Sequence, residues 1–142
     1  MSLLGSRLHK LLSLRKNAEE ERKLGYAHAL KEEADAQARL VEAKDLASRW
    51  FGSTGPGRLR LADVQLSVTM LESFCTLARR REQELALCQH ETARRRDELL
   101  AATRERKVLE NLLTRHMSEY FREVQAIEQR EQDDRAAARY GR

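Results

Sequence analysis

The feature that most constrains this chain is a repeat of apolar and small residues at alternating three- and four-residue steps, interrupted once by glycine and proline. This spacing is a heptad seam, which gathers side chains on one side of a helix so that a second helix can cover them. The interruption is GSTGPG, Gly52–Gly57, where Pro56 prevents a continuous helix and the glycines admit a tight turn. The pattern therefore predicts two long helices joined by one turn.

The first seam is rich in small residues, which let a partner helix approach closely. Gly25 is one of them, although glycine destabilises a helix by about 1 kcal/mol relative to alanine. The predicted seam positions are Leu4, Leu8, Leu11, Arg15, Ala18, Arg22, Gly25, Ala29, Glu32, Ala36, Arg39, Ala43, Leu46 and Trp50.

The second seam is longer and mostly apolar up to Ile127, after which its positions become polar. Packing should therefore fade beyond Ile127. The predicted seam positions are Val64, Ser67, Leu71, Phe74, Ala78, Arg81, Leu85, Cys88, Thr92, Arg95, Leu99, Ala102, Arg106, Leu109, Leu113, His116, Tyr120, Glu123 and Ile127.

The expected fold is all-α, with two long helices in an antiparallel coiled-coil hairpin whose second helix is the longer. A charged fraction of 35% and an aromatic fraction of 5% disfavour a compact globule with a deep core. The predicted segments are a first helix at 1–51, a turn at 52–58, a second helix at 59–138 with a C-terminal overhang, and a frayed tail at 139–142. A reversal about Gly55 places Leu4 opposite Arg106, which leaves the rest of the second helix without an internal partner.

The stretch Arg104–Phe121 has an apolar stripe wider than a two-helix seam requires. An unpaired helix with so many large apolar side chains would expose more apolar surface than soluble monomers usually tolerate. The stripe therefore predicts a docking surface. Its apolar members are Val108, Leu109, Leu112, Leu113, Met117, Tyr120 and Phe121.

Catalytic and metal-binding patterns are absent from the sequence. Cys88 and His90 are two residues apart, so on a helix they point away from each other and cannot hold one metal ion. The GSTGPG turn lacks the lysine of a phosphate-binding loop. We therefore expect no enzyme activity, no cofactor and no metal. Cys75 and Cys88 lie 13 residues apart, too far for a bridge within one helix, and are expected to be free thiols of a reducing cytoplasm.

Basic residues suggest nucleic-acid binding at first sight, because the net charge is +4 and the CTLARRR segment at 75–81 imitates a basic leucine zipper. Residues 1–57 carry 10 basic and 8 acidic side chains, and 58–142 carry 17 and 15, so neither half has a strong excess. Acidic residues lie close to the arginine triplets at 79–81 and 94–96 and would repel phosphates. We therefore do not expect the chain to bind nucleic acid.

The first 18 residues contain no acidic side chain and imitate a transit peptide. Their apolar register continues into the acidic segment that follows, which favours a permanent part of the first helix.

Both ends of the chain resemble the flagellar export protein FliJ family. The C-terminal segment RERKVLENLLTRHMSEYFREVQAIEQREQDDRAAARY is similar to that family's closing signature, and LHKLLSLRKNAEEERKL to its opening segment. The middle of the chain matches only in being coiled coil. The resemblance implies a cytoplasmic, non-catalytic stalk of the type III export apparatus, peripheral to the inner membrane at the flagellar base through its partners only.

The resemblance also implies partners and contact residues. The paired ends would enter the ring of the hexameric export ATPase FliI, the second helix would contact the export gate protein FlhA, and export chaperones would be escorted. The ATPase-ring residues would be Arg104, Arg106, Lys107, Leu109, Arg115 and Tyr120. The export-gate residues would be Phe74, Ala78, Arg81 and Leu85, although Phe74 also fits helix packing. Two alternatives remain open, a virulence-type secretion stalk and a homo-oligomeric coiled-coil scaffold.

Overall fold

Two helices make up the chain in a computed structural model that describes residues 3–53 and 61–141. Helix α1 is Leu3–Ser53 and helix α2 is Leu61–Tyr140, with 51 and 80 residues. No strand occurs in these two ranges. The all-helical prediction with a longer second helix is confirmed. Gly52 and Ser53, predicted to begin the turn, are the last residues of α1, and the rest of that turn lies outside the described residues.

The chain divides into two compact units, of which the first comprises residues 22–99. In this unit the Thr92 hydroxyl donates a hydrogen bond to the Ala29 carbonyl oxygen at 3.3 Å. The guanidinium of Arg22 lies 3.0 Å from the Glu98 carboxylate. Trp50 lies against Phe74, with ring centroids 6.0 Å apart. Residue numbers rise along α1 as those of their partners fall along α2.

The second unit comprises residues 1–21 and 100–142. In it, Arg15 Nη1 lies 2.8 Å from Glu105 Oε2, and Glu19 pairs with Arg106. The predicted register, with Leu4 opposite Arg106, is therefore wrong. The prediction assumed that the chain reverses at Gly55. Helix α1 instead ends at Ser53 and α2 begins at Leu61, so each residue of α1 meets a residue of α2 further along the chain than predicted.

Seven of the fourteen seam positions predicted for α1 are buried or half-buried, five are displaced by one residue, and two, Arg15 and Arg22, are exposed. Ala29, Ala36 and Ala43 are buried as predicted. Leu12 and Leu40 are buried, however, and the predicted Leu11 and Arg39 are exposed. Adjacent leucines at 11 and 12 made the register ambiguous, and only contact with α2 selects the covered one. The displaced positions belong to a line of covered residues at seven-residue steps along α1. Its members, all buried or half-buried, are Gly5, Leu12, Glu19, Tyr26, Glu33, Leu40 and Ala47.

The seam predicted for α2 is confirmed from Ser67 to His116, where every predicted position is buried or half-buried. The first predicted position, Val64, is exposed, so that part of the prediction is wrong. The later positions Tyr120, Glu123 and Ile127 are also exposed, so packing fades earlier than predicted. Val124 is the last half-buried residue, and all residues from 125 to 141 are exposed. The fraying predicted for the tail remains a prediction, and α2 is helical through Tyr140.

Candidate docking surface on helix α2

A buried ion cluster lies at the start of the candidate surface and joins α1 to α2. Glu19 is only 6% exposed, and its carboxylate accepts hydrogen bonds from Arg106 Nε and, at 3.4 Å, from the Thr103 hydroxyl. Arg106 Nη1 also donates to Glu110 Oε1 at 2.8 Å. Hydrogen bonds to Glu110 and Glu19 raise the pKa of Arg106 above its ordinary value. Arg106, predicted to face the ATPase ring, is thus engaged in helix packing.

A groove between the two helices contains two further predicted residues, Arg104 and Leu109. Leu11 and Val108 contribute exposed apolar side chains to it. Arg15 and Glu105, which pair with each other, complete the lining. Arg104 is exposed and Leu109 is half-buried, so the groove presents apolar surface beside a cation that is accessible to solvent.

The remaining predicted ATPase-ring residues, Lys107, Arg115 and Tyr120, are exposed on α2. Neither Lys107 nor Arg115 forms an ion pair within the described ranges. Tyr120 packs edge-on against Phe121, with ring centroids 6.4 Å apart. These three side chains are accessible to a partner without any rearrangement.

Three strongly exposed apolar residues belong to the same surface but were not among the predicted contacts. Val108, Leu112 and Phe121 are 58%, 45% and 59% exposed, more than the predicted Leu109. Phe121 borders a shallow depression formed with Leu113 and Met117. All three belong to the apolar stripe that the sequence predicts as a docking surface, and they are exposed because they lie off the seam, where α1 does not cover them.

The predicted export-gate residues lie on the half-buried side of α2. Phe74 packs against Trp50, which supports its helix-packing role. Arg81 Nη1 pairs with Glu84 at 2.9 Å, and its hydrogen bond to Glu84 lowers the pKa of that carboxyl. Ala78 and Leu85 are half-buried. The four residues therefore lie on one side of α2, and α1 packs against that same side.

Metal-binding side chains do not converge in the described ranges, where no group of three or more could hold an ion. Cys75 is exposed, Cys88 is half-buried, and both are free thiols. None of the described helices is long and apolar enough to cross a membrane. The candidate surface itself presents exposed apolar side chains beside accessible cations.

The family model of the flagellar FliJ protein matches residues 4–142, which is nearly the whole chain. The chain belongs to the FliJ family. No curated protein and no solved structure gives a significant match. Membership in the FliJ family makes this chain a component of flagellar protein export by type III secretion, within a family of non-enzymatic export proteins.

Proposed function

We propose that the chain is the non-catalytic stalk of the flagellar export apparatus and that its open end enters the ring of the export ATPase FliI. The observation that carries this proposal is the exposed extension of α2 beyond its last half-buried residue, Val124. From 125 to 140 the helix continues for about 24 Å at the usual rise. A helix that long, with no covering segment in its own unit, suits insertion into a partner.

The fold that we propose for the stalk is an antiparallel coiled-coil hairpin. Its support is the order of contacts in the unit of residues 22–99, where Arg22 pairs with Glu98, Thr92 bonds to Ala29 and Trp50 lies against Phe74. In this unit the partner on α2 moves back along the chain as α1 advances.

The ring contact that we propose uses the accessible residues Arg104, Lys107, Arg115 and Tyr120 beside Leu109. Cations on an exposed helix can meet carboxylates and polar loops of a ring, and they also speed association through electrostatic steering. Arg106 acts differently in this proposal, because it holds α2 against Glu19 and thereby positions its neighbours. An asymmetric rod in a six-fold ring contacts its subunits unequally, so it can favour different subunit conformations in turn.

An ATPase assay of the FliI ring with increasing stalk concentration tests this proposal. The stalk alone should hydrolyse no ATP, and the complete chain should raise hydrolysis by the ring. The variant K107A/R115A/Y120A should need about a hundredfold higher concentration for half-maximal stimulation, because three contacts at an interface centre, worth about 1 kcal/mol each, add to about 3 kcal/mol. The control K31A/R79A/L87A, also made at exposed residues, should behave as the unaltered chain. Absence of stimulation at saturating stalk would contradict the proposal.

A second contact, with the export gate protein FlhA, is proposed for the side of α2 that carries Phe74, Ala78, Arg81 and Leu85. Arg81 is the best probe, since its side chain is 30% exposed and its ion pair with Glu84 lies within one helix. R81A should weaken binding to the isolated cytoplasmic part of FlhA, with R79A as control. Equal binding by both variants would remove Arg81 from the gate contact.

The location that follows from this proposal is the cytoplasmic side of the flagellar base, with export chaperones as further partners.

A homo-oligomeric scaffold is the competing function, and the exposed Val108, Leu112 and Phe121 are the observation in its favour. Light scattering distinguishes the two, because a scaffold forms a stable oligomer without FliI and a stalk is monomeric until it meets the ring. A virulence-type stalk would stimulate the ATPase of that system in preference to FliI.

A further inference from the structure

The first part of α1 has two different sides, of which one is covered by α2. Gly5 and Leu12 are buried, and Leu8 between them is half-buried. The opposite side carries leucines that nothing in the described chain covers. Leu3 and Leu14 are 75% and 64% exposed. Arg7 and Lys10 lie between these two leucines in the sequence, at steps of four, three and four residues. The four side chains therefore lie along one line of the helix.

A second line of exposed leucines lies beside the first. Leu4 and Leu11 are 55% and 45% exposed and are seven residues apart, which places them on the same side of the helix. Val108 of α2 is next to Leu11 in the groove described above. We call the two lines together, Leu3, Leu4, Arg7, Lys10, Leu11 and Leu14, the basic leucine face.

The charge of this part of the chain is entirely positive. Residues 3–18 contain no acidic side chain and four lysines or arginines. The first turn of α1 lacks the acidic residues that the helix dipole favours there. Arg7 and Lys10 form no ion pair within the described ranges. Elsewhere the same helix balances its cations, as where Arg22 pairs with Glu98. Helix stability alone therefore gives no reason for this composition.

We propose that the basic leucine face binds the surface of an anionic phospholipid membrane, with α1 lying parallel to it. Exposed leucines interleaved with unpaired cations are the chemistry by which an amphipathic helix enters the headgroup region of such a membrane. The charge complementarity is with lipid phosphates, and the line from Leu3 to Leu14 lies on the side of α1 opposite the one that α2 covers, away from the groove that Leu11 borders. This contact is direct, whereas the stalk proposal brings the chain to the membrane through FliI and FlhA.

Vesicle flotation with the complete chain tests the proposal. Vesicles of equal parts phosphatidylglycerol and phosphatidylcholine should carry the chain upward at low salt, and vesicles of phosphatidylcholine alone should not. Raising the ionic strength should release it, because salt screens the attraction to lipid phosphates. The variant R7Q/K10Q should bind the mixed vesicles about thirtyfold more weakly, given the usual contribution of one basic residue near an anionic surface.

The apolar half of the face is tested by L3Q/L14Q, which should lose most of the flotation. Its control is L24Q/L87Q, since these leucines are 72% and 71% exposed in the other unit, and K31Q/R79Q is the control for the charge variant. Circular dichroism should show equal helicity in all variants. The proposal is overturned if the unaltered chain does not bind the mixed vesicles, if it binds both vesicle types alike, or if the controls lose as much as the variants.

Two further outcomes would assign the face to another occupant and overturn the proposal. A dimer in light scattering that L3Q/L14Q converts to a monomer would identify a second copy of the chain. Loss of FliI stimulation in R7Q/K10Q without any lipid binding would identify the ATPase. Because K107A/R115A/Y120A changes none of the basic leucine face, the lipid contact and the stalk function can fail separately.

Discussion

At the scale of single residues, the register in which α1 pairs with α2 depends on charged side chains at seam positions where apolar side chains would usually pack. Glu19 is buried, and the Arg106 side chain that meets it is 21% exposed. Every buried side-chain nitrogen and oxygen within the described ranges has a hydrogen-bond partner. A buried pair adds little net stability over apolar residues, but removing one partner leaves a charge buried alone. Such a pair therefore penalises every register except the one that joins its two members.

The substitution R106L tests this role. It removes the guanidinium that pairs with the buried Glu19 carboxylate, so the free energy of unfolding should fall. Urea titration followed by circular dichroism measures this change. The control is R94L, which breaks an ion pair whose arginine is 53% exposed and should change stability much less than R106L does. The double variant E19L/R106L should recover most of the loss, and failure to do so would argue against the cluster as described.

Gly25 has a different role, because the space beside it holds part of an arginine side chain. A Cβ atom added there would lie 3.6 Å from Arg95 Nη1, which is ordinary contact. Gly25 is helical, so G25A should raise the free energy of unfolding by about 1 kcal/mol, through the difference in helix propensity. A higher midpoint of thermal unfolding would confirm this. A lower midpoint would show that Arg95 needs the whole space and cannot adjust.

At the scale of the helices, α1 and α2 contribute unequal side chains to the seam. The most buried residues of α1 include Ala29, Ala36 and Ala43, which bring the backbones close together. Opposite them α2 contributes larger or polar side chains, such as Thr92, whose hydroxyl reaches the Ala29 carbonyl. The small residues of α1 thus make room for the longer ones of α2.

The exposed extension of α2 leads to a prediction about truncation. Removing 126–142 deletes no buried or half-buried residue of the described range, so the midpoint of thermal unfolding should not change. Removing 107–142 also deletes the half-buried Leu109, Leu113 and Met117, and stability should fall by about 3 kcal/mol from the lost apolar burial. Equal stability of both truncated chains and the complete chain would contradict the packing described for this unit.

At the scale of the whole molecule, the connection between the helices decides whether the seam closes within one chain. The pairing of Ala29 with Thr92 places α1 and α2 side by side in the unit formed by residues 22–99. An intramolecular hairpin and an intermolecular pairing of the same faces would expose the same residues, so the choice has a direct chemical test.

Cross-linking provides that test. In a C75S/C88S background, A29C/T92C should form a disulfide within one chain on mild oxidation, and mass spectrometry should find a monomer. The single variant A29C is the control and should remain reduced at low protein concentration. Disulfide-linked dimers of the double variant would contradict the hairpin.

How much could be predicted differs between the helices for a physical reason. In α2, Phe74 lies between Ser73 and Cys75 and Leu85 follows Glu84, so these large seam residues favour one register, and the adjacent pairs Leu99–Leu100 and Leu112–Leu113 then follow it. In α1, the adjacent Leu11 and Leu12 are equally apolar, and the predicted register took the exposed one. Arg104, Lys107 and Arg115 could be assigned to the candidate surface through the closing signature, but the signature did not distinguish the accessible cations from Arg106.

The sequence by itself determined that the chain is two helices, that the second is longer, and which side of α2 is covered, because all three follow from local spacing of apolar side chains. It also carried the likeness to the FliJ family. Only the tertiary structure decided the stagger of α1 against α2, since the pairing of Glu19 with Arg106 joins residues far apart in the chain. Contact with α2 also decided which side of α1 is covered, and so left Leu4 and Leu11 of the predicted seam exposed.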